Sequence, residues 1–165
     1  MNILVLYDSV FGNTEKIARA VAAGLETTDC LPVSQAAAAP PAGLHLLVIG
    51  SPTRGFRPTE AISRWLSGLG SQSLGGMRAA AFDTRIVLGT IQSPVFRFIV
   101  DKGGYAANTI AKTLQKKGAR LAAPGEGFFV TGEQGPLKDG ELERAEAWAQ
   151  HLLQSMRQEQ AKAGD

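Results

Sequence analysis

Residues 3–25 read ILVLYDSVFGNTEKIARAVAAGL and join an apolar strand to an amphipathic helix through a polar loop. The segment starts with a continuous apolar run, which is typical of a strand buried on both faces. Ile17, Val21 and Leu25 then recur at four-residue spacing, which predicts a helix that packs one face against a sheet. A buried strand followed at once by such a helix predicts a β-α-β unit, from which parallel sheets are built.

Apolar runs continue to alternate with helical patterns along the rest of the chain. Each run is short and is bounded by turn residues, as expected of strands in a parallel sheet. The last run is interrupted by Pro124 and Gly125, which predicts a break in that strand. The predicted later strands cover residues 30–33, 44–49, 77–82 and 119–130.

The helices between these strands are predicted from apolar residues at spacings of three and four. The second helix starts near Thr59, and Gly118 ends the one that follows. The last helix begins with acidic residues that suit its dipole, and the polar residues after Gln158 are expected to fray. The residues expected on buried helix faces are Ile62, Trp65, Leu66, Leu69, Ala107, Ile110, Ala111, Leu114, Leu142, Ala145, Ala149, Leu152 and Met156.

This alternation predicts the fold class: an α/β domain with a doubly wound, five-stranded parallel sheet in three layers. We expect one domain over residues 1–158, followed by a polar tail over residues 159–165. In such sheets, ligands bind beyond the carboxyl ends of the strands, where the strand order reverses. The loops after the first, third and fourth strands are therefore expected to carry the chemistry.

Composition excludes several classes of protein. The net charge is only +2 over 165 residues, which is too small to indicate binding to nucleic acid or to an anionic membrane. The single cysteine, Cys30, excludes an intramolecular disulfide and a cysteine-rich zinc site, and neither histidine has a second ligand near it. With no signal peptide and no apolar stretch of about 20 residues, a cytoplasmic protein is expected.

The polar loop after the first strand offers hydrogen-bond donors to an anion. It reads SVFGNT over residues 9–14 and leads into a helix whose first N–H groups have no acceptor within the helix. The side chains of Ser9, Asn13 and Thr14 can donate further hydrogen bonds. The same residues also suit an ordinary helix cap with a turn glycine, so both interpretations stay open.

Three segments together resemble the flavodoxin family. They are YDSVFGNTEKIA at residues 7–18, IGSPTRGFRPT at residues 49–59 and AFDTR at residues 81–85. The first two, at this separation, are the more specific, and the resemblance covers nearly the whole chain. It implies a flavodoxin-like fold that binds flavin mononucleotide (FMN).

The resemblance also implies a role for each of the loops. The first would hold the FMN phosphate, the second would line the ribityl chain and the isoalloxazine ring, and the third would lie near the pyrimidine edge. Gly55 is the residue at which a peptide of the second loop can flip without a Cβ penalty. The implied cofactor-binding residues are Ser9, Val10, Phe11, Gly12, Asn13, Thr14, Ser51, Pro52, Thr53, Arg54, Gly55, Phe56, Asp83, Thr84 and Arg85.

The chain departs from the family pattern in its aromatic residues. The family often has threonine where this chain has Phe11, which removes one phosphate hydroxyl. No Trp or Tyr lies between residues 84 and 104, although Tyr105 comes just beyond. Phe56 is expected to stack on one face of the flavin, while Phe96 and Phe98 either cover the other face or pack in the core.

Charge is the second departure, because typical electron-carrying flavodoxins are strongly acidic and this chain is slightly basic. Arg54, Arg57 and Arg85 fall on or near the expected flavin rim. Cations there would favour the anionic reduced flavin and raise its potential. They would also attract an acidic partner or an anionic substrate, unless they are solvated loop arginines.

The resemblance favours a monomeric FMN protein that passes electrons to a redox partner protein. An NAD(P)H or quinone reductase is an alternative, although that class usually builds its site across a dimer interface. A flavodoxin-fold binding or regulatory module with a weakened flavin site is the other alternative, and both Phe11 and the missing Trp or Tyr in the third loop favour it.

Overall fold

The computed structural model describes residues 1–87, 94 and 104–164, and the strands alternate with helices along them. The predicted strands are all present, and the predicted break divides the last of them into two short strands. A membrane-spanning helix is absent from these ranges, since none of their helices is both long and apolar enough. The strands are β1 (Ile3–Tyr7), β2 (Cys30–Pro32), β3 (Leu46–Pro52), β4 (Arg78–Ile86), β5 (Arg120–Leu121) and β6 (Glu126–Val130).

All strand pairs in the sheet are parallel, and their order is β2-β1-β3-β4-β5. β5 and β6 both pair with β4, at its start and at its end respectively. They are therefore the two halves of the predicted fifth strand, separated around Pro124 and Gly125. The strand order reverses between β1 and β3, so the carboxyl ends of these strands mark the expected ligand crevice.

Helices cover both faces of the sheet and complete the three predicted layers. The first and last helices pack on one face, and the second and third pack on the other. A short 3₁₀ turn, Val33–Gln35, follows β2. The helices are α1 (Asn13–Gly24), α2 (Glu60–Gly68), α3 (Ala106–Lys116) and α4 (Glu141–Ala163).

The core beneath α1 and α4 leaves no room for a side chain at two glycines. A Cβ on Gly50 of β3 would lie 2.0 Å from the ring of Phe82, and a Cβ on Gly24 would lie 2.7 Å from the Cβ of Ala149. Phe82 also meets Phe128 and Trp148 edge to face, with ring centres 6.0 and 6.4 Å away. These contacts pack α1 against α4, and α4 against the sheet that carries the crevice.

The predicted bounds of two strands were wrong. β3 starts at Leu46 and runs on to Pro52, and β4 continues to Ile86 because its ladder with β6 extends that far. Ser51 and residues 83–85 therefore lie within strands rather than in loops. Polar residues are tolerated there because each finds partners inside the protein.

The last helix differs from its predicted pattern in its first and last turns. Leu142 is 41% exposed, whereas Glu141 is buried because its carboxylate accepts the backbone N–H of Phe129 and bonds the Arg144 guanidinium. Leu153 is an additional buried residue of this helix. The helix continues to Ala163, beyond the point where fraying was expected.

Candidate functional site

A cavity of about 400 Å³ opens at the carboxyl ends of β1, β3, β4 and β6. It therefore lies at the reversal of strand order, where α/β sheets bind ligands. Its volume is within the range of roughly 300–1,000 Å³ that is usual for small-molecule and cofactor sites. The lining residues are Val10, Phe11, Asn13, Thr14, Pro52, Thr53, Arg54, Gly55, Phe56, Thr84, Arg85, Ile86, Tyr105, Val130 and Glu133.

Residues 9–14, here called the donor loop, present unpaired backbone N–H groups at one end of this cavity. Gly12 precedes α1 at a φ of 90°, a conformation that favours glycine. The Ser9 hydroxyl oxygen accepts the N–H groups of Gly12 and Glu15 at 3.1 and 3.3 Å. Within the described part of the chain, no acceptor is found for the N–H groups of Val10, Phe11, Asn13 and Thr14.

Side-chain hydrogen bonds hold the donor loop against two other segments. The Asn13 side-chain amide donates to the carbonyl oxygen of Gln134 at 3.1 Å. The hydroxyl oxygens of Thr14 and Thr84 lie 2.8 Å apart, so this pair uses one of its two protons and keeps the other for a further acceptor. The loop is thus fixed in place while its backbone donors stay free, which is the arrangement of an anion site.

The loop after β3 turns sharply at Gly55 and Phe56. Arg54 and Arg57 exchange backbone hydrogen bonds of 2.9 and 3.1 Å across this turn. Both central residues have positive φ, 52° for Gly55 and 67° for Phe56. A left-handed conformation costs a bulky residue roughly 1–2 kcal/mol, so the turn holds the Phe56 ring at the cavity at an energetic cost.

The opposite side of the cavity is a paired wall: Thr53, Arg85 and Tyr105 line it, and the buried Asp83 lies behind them. The buried Asp83 carboxylate accepts two hydrogen bonds from Arg85, at 2.6 and 2.8 Å, and one from the backbone N–H of Ala107 at 2.9 Å. The guanidinium carbon of Arg85 lies 3.5 Å from the centre of the Tyr105 ring. The Thr53 hydroxyl donates to Asp83 and accepts the N–H of Ala106.

Burial and pairing act in opposite directions on Asp83. Burial raises the pKa of its carboxyl, while the Arg85 guanidinium and the hydrogen bonds from Ala107 and Thr53 oppose that rise. The side chain of Arg85 is itself only 14% exposed. The carboxylate and the guanidinium thus form a closed pair that fixes the start of α3 to β4.

Most of the predicted site residues come together on the cavity, and the others support it from behind. Ser9 and Gly12 shape the donor loop, and Asp83 holds Arg85. Ser51 is fully buried; its hydroxyl donates to the carbonyl oxygen of Pro52 and accepts the N–H of Thr59 at 3.0 Å. These supporting residues do not line the cavity.

Sequence reasoning missed Ile86, Val130 and Glu133, and it named Tyr105 without placing it in the site. Val130 and Glu133 lie at or after the end of β6, so the rule that parallel strands share one ligand edge would have indicated them. Ile86 was missed because β4 was ended too early. The expected stacking residues Phe96 and Phe98 lie outside the described residues.

The arginines expected at the rim take different positions. Arg54 and Arg85 line the cavity, whereas Arg57 is exposed and does not. The charge of Arg85 is compensated by Asp83. The guanidinium carbon of Arg54 lies 5.5 Å from the centre of the Phe11 ring, at the donor loop.

Comparison with known proteins shows similarity of structure only. No family model and no curated protein matches this sequence. The structure is similar to that of a flavodoxin from the domain Archaea, with a TM-score of 0.71 and 17% identity, over 95% of this chain and 99% of that one. Flavodoxin 1 from Bacillus cereus gives a TM-score of 0.71 and 18% identity, over 93% and 98% of the two chains.

A larger protein contains a similar unit. Rubredoxin oxygen:oxidoreductase from the anaerobe Desulfovibrio gigas gives a TM-score of 0.68 and 17% identity, over 97% of this chain but only 37% of that one. The same architecture therefore occurs both alone and as part of a longer chain. From the strand order and these similarities, we conclude that this chain has the flavodoxin-like fold.

Proposed function

We propose that this protein binds FMN in the cavity and transfers electrons. The observation that carries the proposal is the set of unpaired N–H groups in the donor loop, at one end of a cavity with aromatic walls. A phosphate group supplies several acceptor oxygens to such a cluster, and α1 adds the positive end of its dipole. The similarity to solved flavodoxins supports this choice over other phosphorylated ligands.

The residues around the cavity match the remaining parts of FMN in their chemistry. Phe56 offers aromatic surface to an isoalloxazine ring, while Tyr105 is only 8% exposed and lies beneath the Arg85 guanidinium in the cavity wall. The spare proton of the Thr14–Thr84 pair and the donors of Arg85 suit its polar atoms. When bound, the flavin supplies the electron chemistry, and the protein supplies binding, orientation and electrostatics.

The replacement of a family threonine by Phe11 does not remove the phosphate donors. Phe11 contributes through its backbone N–H, which remains unpaired, while its side chain is 44% exposed. A hydroxyl is lost at this position, but the backbone donors of the loop remain. This geometry favours a working flavin site over a regulatory module with a weakened one.

The mouth of the cavity supports transfer to a protein partner. Val10, Phe11 and Ile86 are large apolar residues that are 48, 44 and 37% exposed, and all three line the cavity. Apolar side chains gathered at one mouth are typical of an interaction surface. With Arg54 and Arg57 beside them, the surface suits an acidic redox partner.

We propose that the protein acts as a monomer, which a size measurement with FMN present would test.

The test is a titration of FMN with the purified protein, followed by quenching of flavin fluorescence. We expect saturable quenching with a dissociation constant of about 1 μM or tighter, which corresponds to roughly 8 kcal/mol of binding free energy. Absence of binding at about a hundred times that concentration would reject the flavin site. A bound flavin that turns over NADPH and a quinone rapidly would instead identify a reductase.

A further inference from the structure

The two arginines that line the cavity differ in their electrostatic partners. Arg85 is held by Asp83 through hydrogen bonds of 2.6 and 2.8 Å, so its charge is compensated inside the protein. Arg54 is exposed and forms no ion pair with any described carboxylate. Arg54 therefore brings a positive charge without a described ion-pair partner to the cavity, whose wall also holds the carboxylate of Glu133.

The backbone around Arg54 restricts where this charge can lie. The N–H of Thr53 donates to the carbonyl oxygen of Thr84 at 3.0 Å, which ties the loop to β4. On the other side, the hydrogen bonds between Arg54 and Arg57 close the turn. The guanidinium lies over the ring of Phe11, and the backbone N–H of Phe11 is one of the unpaired donors.

We propose that Arg54 is the residue with which this chain selects a phosphorylated flavin over an unphosphorylated one. The inference rests on the proposed function and deepens it. Unpaired N–H groups provide only partial positive charge, whereas a guanidinium adds a full charge and a planar fork of donors that matches phosphate oxygens. Riboflavin has no phosphate, so it forms no phosphate contact with the donor loop and no charge-assisted hydrogen bond of this kind with Arg54.

The neighbouring cations do not offer the same contact. Arg57 belongs to the same turn and is exposed, but it does not line the cavity. Lys16 lies in the first turn of α1, and it too is exposed and absent from the cavity wall. Arg57 therefore provides a matched control, since its replacement removes the same charge from the same turn.

The experiment measures dissociation constants of FMN and riboflavin for the wild-type protein and the variants R54Q, R54K and R57Q. We expect R54Q to raise the dissociation constant of FMN about tenfold, which is the scale of one charge-assisted hydrogen bond. The dissociation constant of riboflavin should change less than about twofold. R54K should retain part of the FMN affinity, because it keeps the charge but loses the fork. R57Q should leave the preference for FMN unchanged.

Salt provides a second readout that a purely structural role would not change. The FMN affinity of the wild-type protein should fall as sodium chloride rises, and R54Q should show a flatter dependence. The proposal is overturned if R54Q weakens both flavins equally, if it weakens neither, or if R57Q has the same effect. Failure of the wild-type protein to bind FMN is a different result, because it rejects the proposed function itself.

Discussion

The donor loop and the paired wall face the same cavity, but their polar groups are satisfied in opposite ways. In the paired wall, the Asp83 carboxylate and the Arg85 guanidinium bond each other, and Asp83 also accepts backbone and hydroxyl protons. In the donor loop, backbone N–H groups stay unpaired although the segment is held by Asn13 and Thr14. The paired wall therefore holds the shape of the site, and the donor loop keeps hydrogen-bond donors available to a ligand.

The contrast follows from the ion-pair and hydrogen-bond partners that each region finds within the protein. A buried charge without a partner costs several kcal/mol, so Asp83 requires Arg85 whether or not a ligand is present. N–H groups at a helix start can be hydrated in the absence of ligand and exchange water for phosphate oxygens when it binds. The comparison predicts that changes in the wall act mainly on stability and that changes in the loop act mainly on binding.

Replacement of Asp83 by asparagine should have the largest effect on stability. It removes a buried charge and leaves the Arg85 guanidinium without its counter-ion, so we expect a loss of about 3 kcal/mol in the free energy of unfolding. Urea denaturation measures this loss. The control is E60Q, which breaks the exposed pair of Glu60 and Arg64 and should cost less than about 0.5 kcal/mol. Equal effects of the two variants would show that Asp83 and Arg85 are not a closed pair.

Replacement of Gly12 by alanine should separate stability from binding. Gly12 and Gly140 both precede helices at positive φ, 90° and 85°, and a Cβ on either would meet no atom within 4 Å. G12A and G140A should therefore each lose about 1 kcal/mol of stability, from backbone strain alone. Only G12A should weaken the binding of FMN, because relief of the backbone strain reorients the N–H groups of the donor loop. Weaker FMN binding by both variants would contradict a local role for the loop.

The smallest expected effect is on the pH dependence of stability, at the Glu141–Arg144 pair, which does not line the cavity. Burial of Glu141 raises its pKa, but hydrogen bonds from Arg144 and from the N–H of Phe129 outweigh this, and the pKa is lowered overall. Because the pKa is lower in the folded protein, ionised Glu141 stabilises the fold. This stabilisation is fully present above pH 4.5, the ordinary pKa, and is lost as the pH falls through the lowered pKa of the folded state. E141Q should therefore flatten the acid limb of stability.

The control for this change is E143Q, which removes an exposed carboxylate from the same turn of the helix. Neither variant should alter the affinity for FMN near neutral pH. An unchanged acid limb in E141Q would show that Glu141 is not stabilised as a carboxylate in the folded protein.

Much of the fold could be predicted because burial on both faces leaves a clear pattern in sequence. β1 and β3 appear as apolar runs, and the break at Pro124 and Gly125 follows from backbone chemistry. The end of β4 was missed because Asp83 and Thr84 are polar, and only their partners in other segments make a strand position tolerable for them. The exposure of Leu142 was missed because the hydrogen bonds of Glu141 decide which residue faces inward.

The site was predictable where it depends on local sequence and not where it depends on distant contacts. Gly12 indicated the donor loop, because a turn glycine before a helix has a recognisable pattern. The pairing of Asp83 with Arg85 and the contact of Arg85 with Tyr105 join residues that sequence patterns do not connect. The positive φ of Phe56 has no signal of its own, since such a position usually favours glycine.

The central claim is that the donor loop binds the phosphate of FMN. An NMR titration that follows the backbone amide signals of the donor loop tests it most directly, with FMN and riboflavin compared on the same sample. The account predicts that FMN moves the N–H signals of Phe11, Asn13 and Thr14 strongly downfield, while riboflavin leaves them nearly unmoved. If FMN saturates the protein and these signals stay in place, or if both flavins move them equally, the assignment of the phosphate site is wrong.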